Sequence, residues 1–319
     1  MERRALGTSG IEITPVIMGT WQAGKTMWAG IDDRETTEAI RAAFDAGITT
    51  FDTAEYYGKG HSERILGKAL APLRDRVVLA TKVFPDHLRY DQVVEACHRS
   101  LKNLATDFID LYQIHWPAGS FNTKPVPIEE TMRALNDLKE QGKIRAIGVS
   151  NFSRAQLEEA CRHGVIVSLQ PPYSLFWRHV EQDAMPLCRQ KNITVLAYSP
   201  MAQGLLTGKF GKGHKFAKGD HRARNKLFSQ EHAERVQRAL DELRPIAERR
   251  GITLGQLALA WVITHPGTCA IAGARSVEQV LENARAAEVR LTPSELAEMD
   301  SIGRRVTDRL DANPVLWKF

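Results

Sequence analysis

The chain has 319 residues, of which 43% are hydrophobic and 25% charged, and its formal net charge is +5. That length buries a sizeable core and suits one α/β barrel, so residues 1–319 read as a single domain. No apolar run approaches the ~20 residues of a membrane-crossing helix. The best candidate, Leu257 to Ile263, reads as a core helix segment, and the opening Met1 to Gly7 lacks the apolar stretch of a secretory signal.

Four cysteines, Cys97, Cys161, Cys188 and Cys269, show neither a CxxC pair nor a histidine at zinc spacing. They read as free thiols of a reducing, cytoplasmic compartment, with no metal site. The basic residues are interspersed with acidic ones and form no aromatic-interleaved run, which argues against a nucleic-acid partner. A mild positive excess suits a small anionic ligand instead. Nothing indicates a membrane partner, and the oligomeric state is not legible.

In chain order, Gly7-Thr-Ser-Gly10 between two short segments predicts a hairpin ahead of the main fold. Val16 to Trp21 predicts a buried strand, apolar without alternation, as in parallel sheets covered on both faces. Asp32 with Glu35 predicts a capping-box-like helix start, and Gly47 predicts its end. Strands are then expected at 48–52, 77–82, 108–115, 144–150, 165–170, 193–198 and 269–273. Helices are expected between them: near 61–71, 90–104 and 128–141, from the cap Ser153, near 181–190, and near 231–250 and 254–264. Two further helices start at the capping boxes Ser276-Val-Glu-Gln279 and Thr292-Pro-Ser-Glu295. Eight strand–helix units from Val16 onward predict a (β/α)8 TIM barrel with an N-terminal β-hairpin and extra C-terminal helices. A doubly wound sheet would carry a GxGxxG turn, and none occurs.

Barrels of this kind hold their sites at the C-terminal strand ends. Those positions are Trp21, Asp52, Lys82, His115, Ser150 with Asn151, Gln170, Tyr198 with Ser199, and Gly273. Tyr57 follows Asp52 in a turn closed by Gly58. A phenol ordinarily titrates near ~10. A neighbouring Lys82 ammonium is expected to lower that value, with Asp52 holding the lysine charged. His115 is expected to share the proton load or to hydrogen-bond a carbonyl oxygen. This set suits reduction of a carbonyl, with a hydride arriving from the other side. Each residue also has a plainer reading: an ion pair tying two strands, a core histidine, a surface tyrosine. Lys82 as the Schiff-base lysine of an aldolase-type barrel is a further alternative.

The motifs Asp52-Thr-Ala-Glu-Tyr-Tyr57-Gly58, Ala80-Thr-Lys82, Ile114-His115-Trp-Pro117, Ile147-Gly-Val-Ser150-Asn151-Phe152 and Ala197-Tyr198-Ser-Pro200 together resemble the aldo-keto reductase superfamily, over essentially the whole chain. The resemblance implies an NADP(H)-dependent oxidoreductase that reversibly reduces aldehydes or ketones to alcohols. It matches the family tetrad to Asp52, Tyr57, Lys82 and His115, with Tyr57 as general acid. It assigns Ser150, Asn151 and Gln170 to the nicotinamide carboxamide and Tyr198 to stacking on the ring. The segment from Ser199 through Pro200, Gly204 and Leu205 to Lys209 matches the loop over the pyrophosphate. Gly273, Arg275, Gln279 and Asn283 match the 2′-phosphoribose and adenine motif. Many members carry lysine at the position of Gly273; here the charge comes from Arg275 at a helix start. Lys209, Arg222 and Arg224 are further cofactor candidates, with a solvated basic loop as the alternative.

The same motif style is similar to that of the β subunits of voltage-gated potassium channels, which leaves an NADP(H)-binding regulatory subunit with slow residual activity as the competing class. Trp21, Trp28, Phe84 and Trp116 are expected to line an apolar pocket for a small-molecule carbonyl substrate near Tyr57, and Trp317 to approach the barrel mouth.

Overall fold

The structure is a computed structural model that describes every residue except 29, 212, 312, 314 and 316–319. Trp317 therefore lies outside the described residues.

The chain opens with an antiparallel hairpin. Strands β1 (Arg4–Ala5) and β2 (Glu12–Ile13) pair Arg4 with Ile13 and Ala5 with Glu12, and the Leu6 N–H donates to the Ile11 carbonyl. Gly7 to Gly10 are left as the expected turn. Eight parallel strands follow: β3 (Val16–Gly19), β4 (Thr50–Asp52), β5 (Val78–Val83), β6 (Ile109–Ile114), β7 (Ile144–Ser150), β8 (Ile166–Gln170), β9 (Thr194–Tyr198) and β10 (Thr268–Gly273). They lie side by side in chain order, and β10 returns to pair with β3, closing the barrel. Helices α1 (Asp33–Asp45), α2 (His61–Leu70), α3 (Tyr90–Leu104), α4 (Ile128–Glu140), α5 (Arg154–Ala160) and α6 (Met185–Gln190) alternate with the strands. After β9 come α7 (Gln230–Arg249) and α8 (Leu254–Thr264); after β10 come α9 (Val277–Arg285) and α10 (Pro293–Thr307), the last packed on α7.

The helix boundaries follow local chemistry. The Asp32 side chain accepts from the Arg34 and Glu35 N–H groups, and Gly47 takes φ +86° just past the end of α1. Complete capping boxes form at Ser153–Gln156 and Thr292–Glu295. Two expectations are corrected. The helix expected over 181–190 begins only at Met185, after a short 3-10 turn at His179–Glu181, because Pro186 lacks an N–H and suits a first turn. At Ser276 only half of the expected box is made. The hydroxyl accepts from the Gln279 N–H, but the Gln279 side chain accepts from Arg275 instead.

Successive strand residues point to opposite faces. Ile17, Val78, Ala80, Leu111, Ala146, Leu196 and Ile271 fill the barrel interior together with Leu6, Ile11 and Ile13 of the hairpin. The hairpin thus plugs the N-terminal end, fastened by the Gly7 N–H to Thr194 Oγ1 (2.8 Å) and by the Thr14 N–H to Thr50 Oγ1 (3.0 Å). The opposite faces, among them Phe51, Leu79, Tyr112 and Ile147, pack under the helices. The inward face turns polar towards the C-terminal ends: Val78 and Ala80 lead to Lys82, Leu111 to Gln113, Ala146 to Ser150, and Leu196 to Tyr198. One end of the barrel is sealed and the other carries polar side chains.

Leu6 is fully buried in that plug. Leu6→Ala is expected to cost about 2–5 kcal/mol of stability, measured by denaturant unfolding. A change below about 0.5 kcal/mol would mean that the hairpin does not seal the barrel.

Candidate active site

Asp52 ends β4 and Lys82 lies near the end of β5, and both are buried, Lys82 completely. Lys82 Nζ donates to Asp52 Oδ1 at 2.5 Å and to the Thr53 carbonyl at 2.8 Å, and it stands 3.5 Å from the Tyr57 hydroxyl. The second Asp52 oxygen accepts from Gln170 Nε2 at 2.9 Å and Gln113 Nε2 at 3.3 Å. One carboxylate therefore ties together β4, β5, β6 and β8. Burial pushes the Lys82 ammonium below its ordinary value, and Asp52 pulls it back up. Gln113 was not expected at the site. The signal for it was available, because it falls on the inward face between Leu111 and His115.

Tyr57 is half-buried. Its loop is held by a contact that only glycines permit. Gly58 has φ +62°, and a Cβ there would lie 2.3 Å from the Gly24 carbonyl oxygen; a Cβ on Gly24 would lie 2.6 Å from the Tyr57 carbonyl carbon. The backbone of the loop after β3 thus rests directly on that of Tyr57. The phenol is pushed well above its ordinary value, by burial first and by the Asp52 charge second. This corrects the expectation that Lys82 would lower it. The ammonium charge is matched by Asp52 at close range, and the phenol keeps its proton.

His115 continues from β6, its N–H donating to the Val83 carbonyl at 3.0 Å. Its ring is edge-on to Tyr57 (5.6 Å, 83°) and to Phe84 (5.7 Å, 81°). Burial, with the Lys82 charge second, holds the imidazole well below its ordinary value, so it is neutral. Its Nδ1 is buried with no hydrogen-bond partner among the described residues.

Ser150, Asn151, Gln170 and Tyr198 form one chain of bonds. Ser150 Oγ (2.7 Å) and the Asn151 N–H (3.1 Å) donate to the Gln170 carbonyl, and Asn151 Nδ2 donates to Ser150 Oγ (3.0 Å) and to the His115 carbonyl (3.0 Å). The Tyr198 hydroxyl donates to Asn151 Oδ1 at 2.8 Å. Asn151 takes φ +61°, which turns the chain sharply across the mouth.

The segment after Tyr198 folds back on itself, with positive φ at Ser199, Ala202, Gln203, Gly204 and Gly208. Pro200 and Leu205 are buried beneath it. Beyond it, cations gather. Lys209 is lowered by burial and then by Arg222 and Arg275, and Arg275 by burial and then by Arg222. The Trp28 ring has Arg222 5.1 Å and Arg275 5.0 Å from its centroid. Crowded like charges at a helix start are a condition that a bound anion relieves. Arg224 is exposed; the cation in these contacts is Arg222, two residues earlier, which also pairs with Asp220. At Gly273 the Gln22 side chain fills the space, 2.2 Å from where a Cβ would sit. Asn283 is buried and reaches the Gly273 carbonyl at 3.4 Å, while Gln279 is taken up by Arg275.

Of the expected pocket residues, Trp21 stands 6.2 Å from Tyr57 and 5.4 Å from Trp28. Phe84 stacks on Tyr56 at 4.0 Å and on Phe121 at 5.6 Å, and Trp116 joins through Phe121 at 5.1 Å. His221 was not anticipated. It packs on Trp21 (4.4 Å) and Trp28 (4.6 Å) and bonds to the Met27 carbonyl and Gln203. Only folding of the long loop brings it there. Among the described residues no cluster of His, Cys, Asp or Glu could hold a metal, and no helix is long and apolar enough to cross a membrane.

Known proteins resemble this chain over most of its length. A family model described as the aldo/keto reductase family matches residues 15–304. An aldo-keto reductase of Bacillus subtilis, YhdN, is 40% identical over 292 residues, covering 88% of this chain and 87% of its own. The glycerol dehydrogenase structure from Gluconobacter oxydans superposes with a TM-score of 0.87 at 36% identity, covering 97% of each chain. An aldo-keto reductase from Klebsiella pneumoniae, crystallised with NADPH, gives 0.78 at 33% identity over the full length of both chains.

A neutral His115 has a consequence for pH. The unfolded chain takes up that proton near pH ~6.5 while the folded chain does not, so acidification below that value lowers stability. Nitrogen-15 NMR of the imidazoles is expected to find the His115 ring neutral at pH 6. A ring half-protonated there would contradict the burial argument.

Proposed function

Because the chain belongs to the aldo/keto reductase family, we propose that it catalyses the reversible NADPH-dependent reduction of apolar or aromatic aldehydes and ketones, with Tyr57 as general acid. The observation that carries this reading is a phenol that keeps its proton, edge-on to a neutral imidazole and 3.5 Å from a buried ammonium.

When bound, NADP(H) supplies the hydride. The chain's residues do the rest. Tyr57 donates its proton to the substrate oxygen as that oxygen gains charge, and Lys82 stabilises the phenolate left behind. Asp52 and the Thr53 carbonyl keep Lys82 in place, and Gln113 and Gln170 keep Asp52 in place. His115, being neutral, offers a hydrogen bond without competing for the proton. Ser150, Asn151 and Tyr198 lie where an amide-bearing ring is to be held at the mouth, beside the turn from Ser199 to Gly208.

Lys209, Arg222 and Arg275 suit a phosphate-bearing adenosine, which favours NADPH over NADH. Lys82 donates to Asp52 and Thr53, which does not support a Schiff-base role. A complete tetrad supports turnover rather than cofactor sensing alone. The aromatic wall of Trp21, Phe84 and Phe121 favours apolar substrates.

Tyr57→Phe is expected to lower turnover of an aromatic aldehyde by roughly 10²–10⁴-fold, while NADPH affinity stays within about twofold by fluorescence titration. Wild-type turnover in that variant would sink the assignment. Arg275→Ala is expected to weaken NADPH on the order of tenfold, about 1.4 kcal/mol, and to leave NADH unchanged. Equal losses for the two coenzymes would remove the phosphate from the account.

A further inference from the structure

Glu55 lies between Asp52 and Tyr57, and the chemistry outlined above gives it no part. Its side chain is 10% exposed and makes three bonds. One oxygen accepts from the Phe84 N–H at 2.8 Å and from His87 Nδ1 at 3.0 Å; the other accepts from Arg99 on α3 at 3.3 Å. The Glu55 N–H donates to the Lys82 carbonyl at 3.3 Å, and the Glu55 carbonyl accepts from the Gly60 N–H at 2.8 Å. One residue thus fastens the Tyr57 loop both to the strand that carries Lys82 and to the turn that carries Phe84.

What Phe84 does makes this more than a surface staple. Its ring is edge-on to His115 at 5.7 Å and stacks on Tyr56, the neighbour of Tyr57, at 4.0 Å. A shift of the Phe84 backbone therefore moves the wall behind the imidazole and the residue beside the phenol together. We propose that Glu55 is a positioning residue for the reduction: its bond to the Phe84 N–H sets the spacing at which the Tyr57 phenol and the His115 imidazole face one substrate oxygen.

The inference rests on the carbonyl-reduction reading above. The environment supports it. Burial works to raise the Glu55 carboxyl, but hydrogen bonds from His87 and the Phe84 N–H, then the charges of His87 and Arg99, hold it below the usual carboxylate range. His87 is raised in return, by its hydrogen bond to Glu55 first. The acceptor is thus a carboxylate anion, bonded at both oxygens.

A plain ion pair and a positioning bond differ in what replaces them. The experiment compares Glu55→Ala, Glu55→Gln and Arg99→Ala, measuring kcat and KM for an aromatic aldehyde, NADPH affinity by fluorescence titration, and thermal midpoint. Glu55→Ala is expected to lower kcat at least tenfold with NADPH affinity within about twofold of wild type. Glu55→Gln keeps an oxygen for the Phe84 N–H and is expected to restore kcat to within about threefold. Arg99→Ala removes the charge partner but not the Phe84 bond, and is expected to leave kcat within about twofold whatever it does to the midpoint.

Should Glu55→Ala fail to fold, the other two variants still decide. A folded Glu55→Gln with kcat down tenfold or more, or an Arg99→Ala equally impaired, overturns the proposal in favour of a structural ion pair. So does a Glu55→Ala that keeps wild-type kcat. An inactive Tyr57→Phe beside a fully active Glu55→Ala overturns this inference alone, whereas a fully active Tyr57→Phe removes the reading beneath it.

Discussion

Two opposite charges inside a closed barrel are the constraint around which this molecule is arranged. Taking an ammonium and a carboxylate out of water is costly, and their attraction offsets that cost only when the geometry is good and the remaining bonding sites are filled. Here the geometry supplies both. Asp52 and Lys82 meet at 2.5 Å, the Thr53 carbonyl accepts a second hydrogen bond from the lysine, and Gln113 and Gln170 donate to the other carboxylate oxygen. Those groups come from separate strands, so the pair is correctly satisfied only when the barrel has closed in register. Beneath it the interior is apolar and sealed by the hairpin.

The pair also sets the electrostatics above it. Burial first and the Asp52 charge second keep the proton on Tyr57 in the resting state. A phenol kept protonated and an imidazole kept neutral are complementary: one has a proton to give, and the other does not compete to give it. In the proposed reaction Lys82 matters once the proton has left, when a phenolate 3.5 Å away needs a cation. The backbone contact between Gly24 and Gly58 then fixes where the phenol stands, so the first loop of the barrel takes part in a site formed mainly by the next three strands.

Much of this was legible in the sequence, for reasons of period. Strand residues alternate, so an apolar inward row that ends in a polar residue at Asp52, Lys82, His115, Ser150 and Tyr198 marks the open end without any structure. Caps at Asp32, Ser153 and Thr292 marked helix starts equally well. What the sequence hid depended on contacts between distant segments. The two glycines that let loops touch lie 34 positions apart. That Arg222 rather than Arg224 reaches the Trp28 ring depends on how a long loop folds. The direction of the Tyr57 shift depends on how deeply the phenol is buried and on repulsion from the Asp52 charge, neither of which a sequence displays.

The central claim is that this rim of side chains serves direct hydride transfer to a carbonyl carbon, with the proton coming from the protein. The most direct measurement is isotopic: reduction of an aromatic aldehyde by NADPH deuterated at the transferring carbon, with the alcohol analysed by mass spectrometry. The account predicts one deuterium on the carbinol carbon of the alcohol, in ordinary water. An alcohol free of deuterium, or no alcohol from any carbonyl in a broad panel, would contradict it.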